Sequence, residues 1–303
     1  MVSNSPLITV VIPVYNGAKT IAETITSVLE QSLRDFELLV INDGSTDNTI
    51  EVVQGFKDNR IRLLTYSNAG LAASRNRGIQ QSCCDLISFI DADDLWTTTK
   101  LEDQLLALRR QSCASVAYSW TDCVNQSGIF FRRGSHISAE GNVYERLLMG
   151  NFIDSGSNAL FRKSVFEAVG QFDTALKAAE DWDMFLRIAA DHRFVSISEV
   201  QVLYRLSSQS MSANLYRQEQ ESLKVLNKAF ACKPKLSWRS RRKSLAQLYR
   251  YLTYKALENC STKEQASVAG RYLFQSVFQD PRQLRPLRLF GSQLSEIVKV
   301  LAD

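Results

Sequence analysis

Ile8-Thr9-Val10-Val11-Ile12-Pro13-Val14 is the stretch on which the fold turns: it is rich in β-branched residues and lacks the apolar-polar alternation of a strand that faces water. Such a run suits a strand covered by helices on both faces, as in a parallel sheet. Working outward, apolar residues at helical spacing (Ile21, Ile25, Val28, Leu29) predict a helix within residues 18–33, and Phe36-Glu37-Leu38-Leu39-Val40-Ile41 predicts a second strand. The rhythm continues with a helix (49–56), a strand (61–66), a helix (71–81) and a strand (86–90). This alternation predicts right-handed βαβ units in a doubly wound α/β layer, with ligands bound beyond the carboxyl ends of the strands.

After Trp96 the rhythm changes to a helix over 100–111, β-like stretches over 115–122 and 128–133, and short segments at 144–149 and 157–161. That mixture predicts an α+β continuation of the same domain. From Asn214 onward strand signals vanish and helical segments appear at 215–232, 240–258, 263–278 and 284–301. A boundary near Ser212 follows, dividing an α/β domain (1–212) from an all-helical extension (213–303). Charge divides similarly: 19 basic against 25 acidic side chains in residues 1–214 (net −6), and 17 against 7 in 215–303 (net +10).

Composition excludes several classes. With 303 residues, 45% hydrophobic and 22% charged, the chain is neither disordered nor collagenous. The six cysteines show no C-x-x-C spacing, which predicts reduced thiols in a cytoplasmic protein rather than a zinc or redox motif. The first residues lack a basic n-region and no window of eighteen apolar residues occurs, so neither a cleavable signal nor a membrane span is expected. A net charge of +4 is too small to imply a nucleic-acid partner. The basic tail, including Arg239-Ser240-Arg241-Arg242-Lys243, has two readings. One is a solvated helical face, favoured because no tail segment pairs a broad apolar face with the cluster. The other is peripheral contact with anionic lipid at the inner face of the cell membrane.

The strand ends carry the chemistry. Strand one runs into Tyr15-Asn16-Gly17, strand two into Asn42-Asp43-Gly44-Ser45-Thr46-Asp47, and strand four into Asp91-Ala92-Asp93-Asp94. Helix capping explains part of the second turn, but two carboxylates exceed what one cap requires. In the third, three carboxylates within four residues repel one another unless a cation sits among them. Oxygen ligands of this kind select Mg²⁺ or Mn²⁺, whose remaining ligands come from substrate phosphates and water. The plainer reading has Asp94 capping the next helix while Asp91 and Asp93 are solvated. Glu180-Asp181 precedes an amphipathic run (Trp182, Met184, Phe185, Ile188, Ala189), which places both carboxylates at a helix N-terminus, where the dipole favours them.

Five segments occur here in the order seen in family 2 glycosyltransferases: Pro13-Val14-Tyr15-Asn16, Asn42 to Asp47, Asn68 to Gly78, Asp91-Ala92-Asp93-Asp94 and Glu180-Asp181-Trp182-Asp183. Over about residues 7–212 the chain resembles an inverting nucleotide-sugar transferase of GT-A fold, with a mostly parallel Rossmann-like sheet flanked by helices. The resemblance implies a donor site made by Pro13, Tyr15, Asn16, Asp43, Asn68, Gly70, Arg75, Asp91, Ala92 and Asp93. In it Asp43 accepts from a base N–H, as a uridine would offer, Arg75 approaches the base or diphosphate, Asp91 faces the ribose and Asp93 holds the metal. It further implies Asp181 as general base, with Glu180 orienting the loop or acceptor; Asp94 and Trp182 are acceptor-side candidates, Trp182 either offering an apolar face to a sugar ring or standing as a buried aromatic. The implied partners are a UDP-sugar and a glycan or lipid-linked acceptor. One departure stands out: where many relatives place a histidine after a late Tyr-Arg, Tyr204-Arg205-Leu206 is followed by Ser207, which leaves Arg205 or Ser210 to close over the diphosphate. Two other classes compete with this reading. A sugar nucleotidylyltransferase needs a glycine-rich basic loop after strand one, which Tyr15-Asn16-Gly17-Ala18 is not, and a nonenzymatic nucleotide binder would carry the acidic motifs as remnants.

Overall fold

The computed structural model describes residues 6–206, 214–233, 236–258 and 260–284, together with 295, 297, 298 and 300. Ser210, the Ser212 boundary and most of the helix predicted over 284–301 lie outside these. The chain gathers into two compact units, one of residues 1–144 and 151–208, the other of 145–150 and 209–303.

The first unit begins with the predicted alternation: β1 (Ile8–Val14), α1 (Ile21–Leu29), β2 (Phe36–Asn42), α2 (Thr49–Gln54), β3 (Ile61–Thr65), α3 (Leu71–Gln81) and β4 (Leu86–Phe89). The chain continues with β5 (Leu95–Trp96), α4 (Lys100–Arg110), β6 (Ala114–Val124), β7 (Phe130–Arg133) and α5 (Tyr144–Leu147), of which residues 145–147 belong to the second unit. Then come β8 (Leu160–Arg162), α6 (Ser164–Val169), α7 (Glu180–Ala189) and β9 (Arg193–Arg205). Among the described residues, nine strands form one sheet in the order β3-β2-β1-β4-β8-β6-β9-β5, with β7 on the later half of β6. β1 to β4 are mutually parallel, β8 runs antiparallel to both β4 and β6, and β9 is parallel to β6. The carboxyl ends of β1, β2, β4, β6 and β9 therefore share one edge of the sheet.

Every residue of β1 and of β2 is buried, Thr9, Glu37 and Asn42 included among their otherwise apolar residues. Val10, Ile12, Leu38 and Val40 pack with Ile21, Ile25 and Val28 of α1 and with Leu101, Leu105 and Leu108 of α4. Each such side chain contributes about 1.5–3 kcal/mol by leaving water. Pro13 is tolerated in a central strand because the β1–β4 ladder stops at Val11↔Phe89, so its missing N–H leaves no gap there. The longest strand, β9, shows no clean period: Ser196, Ser198 and Glu199 interrupt its apolar residues, and its pairing with β6 shifts register between Ser119 and Thr121.

The opposite edge, at the amino ends of the strands, holds Glu37. Its carboxylate accepts from Thr9 Oγ1 (2.6 Å), Cys83 N–H (3.0 Å), Cys83 Sγ (3.1 Å) and Arg62 (3.2 Å). Burial opposes its ionisation, yet these donors together hold its pKa below the usual value. None of the six cysteines, all among the described residues, is in a disulfide, and burial is the main reason the Cys83 and Cys84 thiols titrate above their usual range.

The second unit contains α8 (Leu215–Cys232), α9 (Trp238–Leu257), α10 (Lys263–Gln279) and a 3₁₀ turn (Pro281–Leu284). Asn214, Ser237 and Thr262 cap the three helices, Thr262 in a reciprocal box with Gln265. Val225, Leu226, Leu252 and Tyr272 form its core, and Glu219 ties Arg271 (2.9 Å) to the Tyr272 hydroxyl (3.2 Å). No described helix is long and apolar enough to cross a membrane.

Candidate active site

Hydrogen bonds stitch together the loops after β1 and β2. Asn16 N–H donates to Ser45 (2.9 Å), the Asn16 side chain accepts from Thr46 N–H (2.8 Å), and Gly17 and Ala18 N–H groups donate to Thr49 and Asp47. Asn16 adopts a left-handed conformation (φ 52°), which asparagine tolerates better than most residues. Beside it Tyr15 stands 54% exposed at the sheet edge. Across the cleft, Asp43 binds the loop ahead of α3, accepting from Ala69 N–H (2.9 and 3.1 Å), Gly70 N–H (2.7 Å) and Arg77 (2.7 Å). Gly70 begins α3 at φ 93°, a conformation that selects glycine, while Asn68 is exposed on the same loop.

The acidic turn after β4 resolves into three different carboxylates. Asp91 accepts from Arg75 Nη2 (2.6 Å), and its own N–H donates to Ser157. Asp94 is fully buried, accepting from the Ser157 hydroxyl (2.5 Å) and from Arg205 N–H (2.9 Å). Asp93 is the one whose carboxylate no neighbouring described residue takes up. Burial and the Asp91 charge push Asp93 up to about 6, and burial with Asp93 and Asp91 pushes Asp94 well above the carboxylate range. Arg205 braces the turn from behind: it donates to the Asp93 carbonyl (2.8 Å), the Gln126 carbonyl (2.5 Å) and Glu23 (2.5 Å).

The Glu180–Asp181 pair sits at the start of α7, delivered there by Ala179 at φ 58°. A left-handed alanine costs about 1–2 kcal/mol, a strain the surrounding contacts must hold in place. Glu180 accepts from Arg75 Nη1 at 2.6 Å, so one guanidinium joins the turn after β4 to the start of α7. Arg75 is 1% exposed, lies over the Phe172 ring, and packs so tightly on Gly156 that an added Cβ would lie 2.4 Å from its Nη2. Burial alone would lower its pKa; Asp91 and Glu180 outweigh burial and raise it. Asp181 accepts from Asn151 (3.2 Å) and from Trp182 N–H (2.7 Å), and it keeps part of its surface exposed. Burial and the Glu180 charge, against Arg75, push Asp181 up to about 7. A carboxylate poised there can take a proton from a hydroxyl at neutral pH.

The sequence matches the profile described as "Glycosyltransferase like family 2" over residues 9–256. The chain belongs to this family. It is 31% identical over 223 residues to WfgD of Escherichia coli, a UDP-Glc:alpha-D-GlcNAc-diphosphoundecaprenol beta-1,3-glucosyltransferase, covering 73% of this chain and 85% of WfgD. It is 28% identical to TuaG of Bacillus subtilis, a putative teichuronic acid biosynthesis glycosyltransferase, over 72% of this chain and 86% of TuaG. The crystal structure of S. aureus TarS 1-349 in complex with UDP-GlcNAc superposes with a TM-score of 0.61 over 92% of each chain at 16% identity, which establishes the GT-A fold.

Within this glycosyltransferase several expected residues are engaged by contacts inside the protein. Pro13 is buried in β1, and Asp43, 3% exposed, already has its oxygens engaged by the Ala69–Gly70 backbone and Arg77. Arg75 faces two carboxylates rather than an open cleft, and Ala92 contributes its carbonyl to the Thr20 hydroxyl (2.8 Å). Of the two acceptor-side candidates, Asp94 is enclosed by Ser157 and Arg205, and Trp182 is 5% exposed. Arg205, itself 3% exposed, spends its donors on the Asp93 and Gln126 carbonyls and on Glu23. Residues that sequence reasoning missed are Asn151, Gly156 and Ser157; their only signal is a polar, glycine-containing stretch between periodic segments.

Proposed function

We propose that this glycosyltransferase moves a sugar from a UDP-sugar to a hydroxyl of a glycan or lipid-linked acceptor, inverting the anomeric centre, with Asp181 as general base and Mn²⁺ or Mg²⁺ at Asp93. The observation that carries this reading is the Asp91–Arg75–Glu180 bridge, which fixes the donor-side turn and the base-bearing turn to one buried guanidinium. Tyr15, Asn16 and the Asn68–Gly70 loop ordered by Asp43 would border the nucleoside. Asp93 fits a cation because its carboxylate is free of side-chain donors and crowded by like charge. Bound there, the cation would neutralise charge on the departing diphosphate. Asp181 would accept the acceptor's proton from the opposite face of the sugar, and Glu180, held by Arg75, would position it.

The UDP-GlcNAc complex of TarS supports a UDP-sugar donor, and the diphosphoundecaprenol substrate in the name of WfgD supports a lipid-linked acceptor and a peripheral place at the membrane. Incubation with UDP-sugars, a polyprenyl-diphosphate-linked sugar and Mn²⁺ should release UDP and give a product of inverted configuration by NMR. A product that keeps the donor's anomeric configuration would reject the single displacement by Asp181.

A further inference from the structure

Ile129, Phe130 and Phe131 are 64, 59 and 57% exposed, the only consecutive run of exposed large apolar side chains among the described residues. They open the return strand of the β6–β7 hairpin and are followed by Arg132 and the exposed Arg133. A strand with one buried face hides every second residue, whereas no residue of β7 is buried. The turn is well tied. The Asn125 side chain accepts from Ser127 and Ile129 N–H (3.0 Å each), and Asn125 N–H donates to the Ile129 carbonyl (2.9 Å). These apolar side chains are held outward by a built turn.

The hairpin springs from the carboxyl end of β6, at the same sheet edge as the acidic turn. The two are linked by one buried residue, since Arg205 donates both to the Gln126 carbonyl in the hairpin turn and to the Asp93 carbonyl. We infer that this tip is a lipid-docking element: Ile129, Phe130 and Phe131 enter the interfacial layer of an anionic membrane while Arg133, with Arg132, meets headgroup phosphates. Apolar side chains beside arginines are what such an interface selects. The narrow end of a two-stranded ribbon is too small for a stable protein–protein contact, which needs about 800 Å² per partner. The inference rests on the lipid-linked reading of the acceptor and adds where the membrane is met. Docking by this tip sets the donor edge of the sheet against the headgroup layer, where the reacting hydroxyl of a lipid-linked acceptor lies.

Flotation of the full chain with phosphatidylglycerol-containing vesicles tests it, comparing the parent with an Ile129→Ser/Phe130→Ser/Phe131→Ser variant and with Arg133→Gln. The parent should float, less so at high salt; the triple variant should partition about tenfold more weakly, and Arg133→Gln should lose binding only to anionic vesicles. UDP-induced thermal stabilisation should be the same in all three, which shows the donor site intact. Equal flotation of parent and triple variant, or a parent that stays in the bottom fraction, would overturn docking by the tip. So would light scattering showing that the triple variant only breaks up a dimer. If the parent floats through the tip yet uses no lipid-linked acceptor, docking stands and the acceptor reading falls.

Discussion

At the amino ends of the strands Glu37 is buried among donors: a threonine hydroxyl, a backbone N–H, a thiol and an arginine hold its pKa down. At the carboxyl ends of the same sheet Asp94 is buried and Asp93 and Asp181 are partly buried near other carboxylates, and all three are pushed up. Burial is common to both ends; the supply of donors is what differs. The first arrangement stabilises the fold by itself. The second is left uncompensated, most of all at Asp93, and such a site makes sense when a ligand brings the missing positive charge and a substrate brings a proton to remove.

The contrast can be broken most forcefully at Asp181. Asp181→Asn should slow transfer on the order of 10²- to 10⁴-fold, about 3–5 kcal/mol of barrier, while UDP binding is retained. A variant that transfers at the parental rate would place the base elsewhere. Next comes Arg75, which serves two buried or half-buried carboxylates. Arg75→Met should lower stability by about 3–5 kcal/mol in denaturant titration, as expected for a buried pair that loses one partner. A loss of about 1 kcal/mol or less would show that the bridge behaves like a surface pair.

Glu37→Gln should cost less, about 1–2 kcal/mol, because the amide still accepts from some of the same donors, and transfer should be unaffected. Reduced transfer at full stability would mean that the two ends of the sheet are not separate. The smallest effect sharpens the comparison through pH. Asp181 titrates higher in the folded chain, at about 7, than when unfolded, so the folded state holds a proton the unfolded state has lost between about pH 4 and pH 7. Metal-free stability contributed by this group therefore falls as pH rises through that window. Glu37 has the opposite sign: its contribution is present above its unfolded pKa and is lost as pH falls through the folded one. Unfolding midpoints between pH 5 and 7.5 should fall more steeply in the parent than in Asp181→Asn, and parallel curves would remove Asp181 from the account.

How much of this was legible in the sequence depends on how local the cause is. β1, β2 and β4 could be read because burial writes a largely apolar run into each central strand, β3 at the edge because it continues the strand–helix alternation, and the turns beyond them could be found as soon as the strand ends were placed. β9 could not, because its register shifts and polar interruptions erase the period. At the site, residue type and spacing pointed to the acidic turn and to the carboxylates at the start of α7, and the family resemblance singled out Asp93 and Asp181, but adjacency carried no information about facing. Asp94 follows Asp93 directly and points into the core, and Trp182 follows Asp181 and is buried. Arg205 and Ser157 meet the acidic turn from 112 and 66 residues away, through contacts that only the assembled sheet creates.

The central claim is that Asp93 is left without a partner because a cation carrying the donor's diphosphate belongs beside it. Calorimetric titration of UDP into the parent and into Asp93→Asn, each with Mn²⁺ and with EDTA, tests it most directly. The parent should bind UDP at least about tenfold more tightly with Mn²⁺, a difference of about 1.4 kcal/mol, and Asp93→Asn should show no such gain. Equal affinity for UDP in the parent with and without Mn²⁺, or an undiminished gain in Asp93→Asn, would contradict it.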